Sequence, residues 1–174
     1  HPYMLCEYTH AMGNSNGGLE KYWKRIYEDE QFFGAFVWDW MDQGIRQPIP
    51  APYQKVGGPD SCFAYGGWWE DAAGIYNSTN FCMNGLLASD WTPHPGLNTI
   101  KYYYQPIAVT SVDLEKGIFK LHNRYHFSTL DEQISGIWKL AVNGKPLSEG
   151  RIPGLEVGPD SEQEIMLDLP LVSP

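Results

Sequence analysis

Two short, almost wholly apolar runs bracket a stretch of helical periodicity, and that order restricts what the first half of the chain can become. The runs are Tyr3 to Tyr8 and Gly34 to Trp40. Continuous rather than alternating apolarity is what a strand buried on both faces requires, as in a parallel sheet under helices. Between the runs, Leu19, Tyr22, Trp23, Ile26 and Tyr27 recur at helical spacing and predict an amphipathic helix over Gly18 to about Glu28. Gly13-Asn14-Ser15 supplies a turn and candidate caps ahead of it. Strand, helix, strand in that order is a βαβ unit, whose crossover is right-handed.

The first run does not end on an apolar residue. It meets Glu7, followed by Tyr8, Thr9, His10 and a polar turn. A carboxylate where a buried strand emerges into a loop is either catalytic, as at the mouth of a (β/α) barrel, or satisfied by a local cation or donor. Tyr8 points to the opposite face of the strand and is a core candidate.

Residues 43 to 80 carry Pro48, Pro50 and Pro52, then Gly57-Gly58-Pro59 and Gly66-Gly67. A loop of that length inside a compact domain is functional or disordered. Phe63, Tyr65, Trp68 and Trp69 argue against disorder, so it reads as an active-site loop over the strand ends. A short helix is expected from about Pro95 through Leu97, Ile100, Tyr103 and Tyr104.

After Pro106 the texture changes to short β-rich segments: Ile107–Asp113, Ile118–Tyr125, Ile137–Val142 and Glu164–Leu169. Asn143-Gly144 is a two-residue hairpin turn signal, because both central positions favour positive φ. The expected architecture is α/β over residues 1–105, then an all-β domain over 106–174, a partial sandwich of immunoglobulin type.

The formal net charge of −9 argues against a phosphate-backbone ligand, whose binding relies on Lys and Arg. Neither nucleic acid nor an anionic membrane is an expected partner, and no apolar stretch approaches the ~20 residues of a membrane span. The three cysteines, Cys6, Cys62 and Cys82, follow no zinc or disulfide pattern and are expected as buried free thiols. Aromatics make up 14% of the chain, and Trp38 and Trp40, like Trp68 and Trp69, stand close together, as sugar-stacking residues do.

Three segments carry a resemblance. Cys6-Glu7-Tyr8-Thr9-His10-Ala11-Met12-Gly13-Asn14-Ser15, Gly34-Ala35-Phe36-Val37-Trp38-Asp39-Trp40-Met41-Asp42-Gln43, and Phe81-Cys82-Met83-Asn84-Gly85-Leu86 through Asp90-Trp91-Thr92-Pro93-His94-Pro95 resemble the family 2 glycoside hydrolases, the large bacterial β-galactosidases in particular. The resemblance runs through the whole chain in order. It implies that residues 1–105 are the last two βα units of a TIM (β/α)8 barrel and that 106–174 begin the β-sandwich after it. It implies Glu7 as catalytic nucleophile, His10, Trp38 and Asn84 as substrate-binding residues, and the Phe81 carbonyl with the Asn84 side chain as ligands of a sodium ion. A magnesium site and the acid/base, in an Asn-Glu pair, would lie upstream of His1.

The start at His1 without Met agrees with an excised piece, inactive alone and stable only with the rest of its polypeptide. A β-galactoside substrate and a homo-oligomeric complete enzyme are the implied partners. A bacterial cytoplasm or periplasm both remain open. Two departures stand out: Trp68 replaces an acidic residue and Trp91 a basic one, which bears on aglycone preference and subunit contacts.

A retaining glycosidase needs two carboxyl groups roughly 5–5.5 Å apart across the sugar. Asp39, Asp42, Glu70, Asp71 and Asp90 are the second carboxylates on offer, none in an Asn-Glu pair. Read without the resemblance, His10 caps a turn, Trp38 is core and Asn84 is a turn residue. The competing functions are a non-catalytic carbohydrate-binding module, disfavoured by the strand–helix–strand half, and a β-glucuronidase or β-mannosidase of the same architecture.

Overall fold

In a computed structural model, described over residues 1–65 and 81–170, the chain divides into two compact units, His1–Tyr104 and Gln105–Pro174. The paired Trp68 and Trp69 and the carboxylates Glu70 and Asp71 lie outside the described residues.

The first unit opens with β1 (Tyr3–Tyr8), α1 (Leu19–Glu28) and β2 (Phe32–Val37). β1 and β2 pair in parallel, with Leu5 opposite Ala35 and Tyr8 opposite Val37. The 3.6-residue spacing of α1 takes effect through Leu19, which is 1% exposed, and Trp23, which packs against the same core. Burying a leucine that fully is worth about 1.5–3 kcal/mol. Leu19, Tyr8, Ala11, Leu86 and Ile100 form this core, with Leu5, Ala35 and Val37 packed on it.

The strands are not buried on both faces as their continuous apolarity predicts. Leu5, Ala35 and Val37 turn toward the core, while Met4, Cys6 and Phe36 are exposed. Of the described elements, helices cover one side only. That open side also corrects the cysteine expectation: all three thiols are free, but Cys6 is exposed and Cys62 and Cys82 are only half-buried.

The stretch expected to be irregular contains a hairpin of β3 (Ile45–Pro48) and β4 (Ser61–Ala64), antiparallel from Ile45 opposite Ala64 to Pro48 opposite Ser61. Pro48 sits at the last position of its strand, where a missing N–H is tolerated. α2 (Gly96–Tyr104) follows Pro95 and buries Ile100.

Behind β1, the indole N–H of Trp23 donates to the Tyr8 hydroxyl at 3.1 Å, and the Tyr8 and Tyr104 hydroxyls lie 2.9 Å apart. Burial is the leading cause that raises both phenols above the ordinary value of 10.0. A phenol whose folded pKa is raised stabilises the fold fully below its unfolded value and loses that contribution as pH climbs through the folded one. The thermal midpoint is therefore expected to fall as pH passes 10.0. Tyr104→Phe is expected to flatten that alkaline limb and to lower neutral-pH stability by about 1 kcal/mol through the lost hydrogen bond. A pH series of melting curves checks this, and an alkaline limb identical in the variant would exclude the phenol pair as its source.

The second unit is antiparallel. β5 (Ile107–Asp113), β6 (Ile118–Asn123) and β9 (Glu162–Met166) form one sheet with β6 central, and β7 (Ile137–Val142) pairs with β8 (Lys145–Arg151) in another. The β7–β8 turn is Asn143-Gly144, both at positive φ, 49° and 78°. β6 stops at Asn123, short of Tyr125, because the Asn123 side chain accepts the Tyr125 N–H at 2.9 Å and turns the chain. A one-turn helix, α3 (Leu130–Gln133), starts at a Thr129/Glu132 capping box. Leu121, Leu130, Val157, Ile165 and Leu167 are the buried core.

Candidate active site

The three motif segments lie side by side, stitched by backbone hydrogen bonds. Where β1 ends, Trp38 N–H donates to the Tyr8 carbonyl at 3.4 Å and Ala11 N–H to the Trp38 carbonyl at 2.7 Å. On its other side, residues 38–42 meet 84–87: Asp39 N–H donates to the Asn84 carbonyl at 2.7 Å, Leu86 N–H to Asp39 at 2.9 Å and Leu87 N–H to Trp40 at 3.0 Å. Met41 and Leu87 bridge in parallel. The order is therefore the end of β1, then the segment after β2, then 84–87. Glu7, Trp38 and Asn84 stand on three neighbouring backbones, and the Trp38–Asp39 peptide between two of them is cis.

Glu7 is exposed near the C-terminal end of β1, while Tyr8 is buried at 7% exposure on the other face. The strand is irregular just before this point: three residues of β1, Leu5 to Tyr8, span the two-residue step from Ala35 to Val37, so Leu5 and Tyr8 both face the core and Glu7 does not. Among the described residues Glu7 has no hydrogen-bond or ion-pair partner, so no local cation neutralises it there. His10 lies two residues beyond the strand with its ring 5.7 Å from that of Phe81, which links the first and third motifs. The turn-capping alternative for His10 finds no hydrogen bond to Gly13; it is Ser15 whose hydroxyl lies 3.5 Å from the Gly13 carbonyl. Trp38 is 37% exposed and Trp40 55%, so neither indole is core.

Asn84 is 1% exposed, yet its side-chain Oδ1 has no hydrogen-bond donor among the described residues; Thr9 Oγ1 is the other such orphan. Buried amide oxygens are normally satisfied, and an exception calls for a ligand, a water or an ion. A neutral oxygen of this kind suits a hard cation. Phe81 is exposed, and its carbonyl likewise accepts no hydrogen bond among the described residues. No group of three or more His, Cys, Asp or Glu side chains forms a metal cluster among the described residues.

Of the other candidate carboxylates, the three that are described are engaged. Asp39 accepts the Trp40 N–H and the Gln43 side-chain amide, the latter at 2.9 Å. Asp42 accepts the Gly85 N–H at 2.8 Å and meets His94 Nε2 at 3.0 Å. Asp90 is exposed, and hydrogen bonds from Thr92 hold it below the ordinary carboxylate range. Sequence reasoning passed over the Asp42–His94 contact because its partners are separated by 52 positions; the only trace was that both fall within the resemblance motifs. Trp91 sits at a left-handed φ of 71°, 66% exposed.

The model of the glycosyl hydrolases family 2 TIM barrel domain matches residues 1–109. The chain belongs to glycosyl hydrolase family 2. A β-galactosidase of Priestia megaterium (strain DSM 319 / IMG 1521) is 39% identical over 170 residues, 98% of this chain and 15% of that protein. The chain thus spans about 15% of the length of this curated family member. Family membership places the parallel β1–β2 pair and its helices in a barrel domain region. No described helix is long and apolar enough to cross a membrane.

Proposed function

We propose that this chain is part of a retaining β-galactosidase in which Glu7 attacks the anomeric carbon of a terminal β-D-galactoside. One observation carries the reading: an exposed carboxylate without a partner among the described residues, near the C-terminal end of a parallel strand, beside the Trp38 and Asn84 backbones. In barrels of this kind chemistry resides at the strand C-termini. The 39% identical β-galactosidase supports galactose over glucuronic acid or mannose. The parallel strand pair disfavours an all-β binding module.

In this reading residues 1–105 are the last two βα units of a (β/α)8 barrel and 106–174 begin an immunoglobulin-like β-sandwich. Glu7 acts ionised: its carboxylate bonds to the anomeric carbon as the glycosidic C–O bond breaks and the aglycone leaves with a proton from the acid/base, giving a galactosyl ester that water later cleaves. Trp38 offers its exposed indole to the apolar face of the sugar, and His10 and Asn84 bind its hydroxyls. The Asn84 Oδ1 and the Phe81 carbonyl fit a sodium ion, which would supply positive charge beside the substrate. Asp39 and Asp42 are engaged and the sequence holds no Asn-Glu pair, so in this reading the proton donor and the magnesium ligands lie elsewhere in the polypeptide.

Mechanism-based labelling tests the assignment. The complete enzyme, incubated with a 2-deoxy-2-fluoro-galactosyl inactivator and digested, is expected to carry the sugar on the peptide containing Glu7. Label on a different carboxylate would end the proposal for Glu7.

A further inference from the structure

We infer that Asp42, braced by His94, is a positioning residue that aims the Asn84 amide oxygen at its ligand. The inference rests on the ligand-binding role proposed above for Asn84.

An amide oxygen left buried without a donor is costly, so the turn that carries it must be held by other contacts. Here the holding group is the Asp42 carboxylate. Its Oδ1 accepts the N–H of Gly85, the residue directly after Asn84, at 2.8 Å. Its Oδ2 meets His94 Nε2 at 3.0 Å, and the carboxylate is only 10% exposed. His94 in turn donates its backbone N–H to the Leu86 carbonyl at 2.9 Å. The pair therefore grips the 84–86 turn at two successive points after Asn84.

Three further hydrogen bonds and one close packing contact support the grip. Asp42 N–H donates to the Leu87 carbonyl at 2.8 Å. The Ser89 hydroxyl donates to the Asp42 carbonyl at 2.9 Å and accepts the Gly44 N–H at 3.0 Å. Gly85 is pressed against Met41 and Asp42: a Cβ there would stand 2.2 Å from the Asp42 nitrogen. No side chain fits between the carboxylate and the turn it holds. Both carboxylate oxygens are occupied, so Asp42 is not a spare acid for the reaction.

A double-mutant cycle in the complete polypeptide tests this, with Asp42→Asn, Asn84→Ala and both together. The readouts are KM and kcat on a nitrophenyl β-galactoside, and sodium affinity from sodium NMR linewidths in chloride buffer. Asn at position 42 keeps its shape and one acceptor but loses the charge facing His94. Asp42→Asn is expected to raise KM about tenfold and to weaken sodium binding, with kcat changed far less. The double variant is expected to be no worse than Asn84→Ala alone, because a positioning residue has nothing left to position. A general structural role would instead give additive losses, and additivity would overturn the inference. If Asn84→Ala shifts neither KM nor sodium binding, the role of Asn84 itself fails and the inference falls with it. If Asn84→Ala shifts them and Asp42→Asn does not, only the positioning role is lost. Should Asp42→Asn not fold, His94→Ala takes its place in the cycle, and His94→Gln, which keeps a donor for the carboxylate, is expected to restore most of the loss. No restoration by Gln, with additive losses for His94→Ala, would overturn the inference equally.

Discussion

Replacing Glu7 by Gln in the complete enzyme is expected to lower kcat on an aryl β-galactoside by about four orders of magnitude or more, with the fold unchanged. The amide has the same shape and no available charge, so it cannot form the bond to the anomeric carbon. Glu7 makes no ion pair or hydrogen bond with any described residue, so removing its charge breaks no local contact. That separates chemistry from stability more cleanly than at most buried active-site carboxylates. Circular dichroism and melting temperature should match the parent, while steady-state rates collapse. Azide, entering the space vacated in Glu7→Ala, is expected to attack the anomeric carbon once, with inversion, and to give α-galactosyl azide. A variant with near-parental turnover would remove Glu7 from the nucleophile role.

The largest stability effect is expected in the second unit, at Asn123. This side chain is completely buried, at 0% exposure. Its amide nitrogen lies 2.8 Å from the Ser128 carbonyl and 2.9 Å from those of Val157 and Gly158, and its Oδ1 accepts the Tyr125 N–H at 2.9 Å. One residue thus ties the end of β6 to two separate loops. Truncation to Ala strands several buried backbone groups at once. Each group left unsatisfied costs about 1–3 kcal/mol, so a total loss of about 3–5 kcal/mol is expected. Urea titrations followed by far-ultraviolet circular dichroism would measure it, and a loss under ~1 kcal/mol would mean that water replaces the amide without penalty.

Much of the local structure was legible because its cause is local. The spacing of Leu19, Trp23 and Ile26 specified α1, and the Asn143-Gly144 pair specified the β7–β8 turn. β5 and β7 took the bounds that their apolar runs predicted. The β3–β4 hairpin was hidden because three prolines and a Gly-Gly-Pro run stand around and between its strands, signals that ordinarily argue for loop. Continuous apolarity in β1 and β2 implies two covered faces; this chain, about 15% of the length of the curated relative, covers one of them and leaves Phe33 75% and Phe36 61% exposed.

For the candidate site, the sequence offers residue types but not their partners. Glu7 could be singled out because a charge interrupts an apolar strand. The Asp42–His94 contact could not, since nothing in a one-dimensional pattern joins positions brought together by a turn and a parallel bridge. The same limit applies to Asn84, whose residue type suggests a turn and whose unsatisfied oxygen is visible only in three dimensions.

The irregular register of β1 has a consequence for how this segment can vary. From Leu5 to Tyr8 the strand advances three residues while its partner advances two, from Ala35 to Val37, so Leu5 and Tyr8 both face the core and Glu7 does not. Losing Cys6 with the pairing kept would take out the extra residue and still leave the carboxylate outward beside an inward phenol. A change of length is therefore compatible with the orientation of Glu7 at this one place in the strand, where a regular pleat would forbid it.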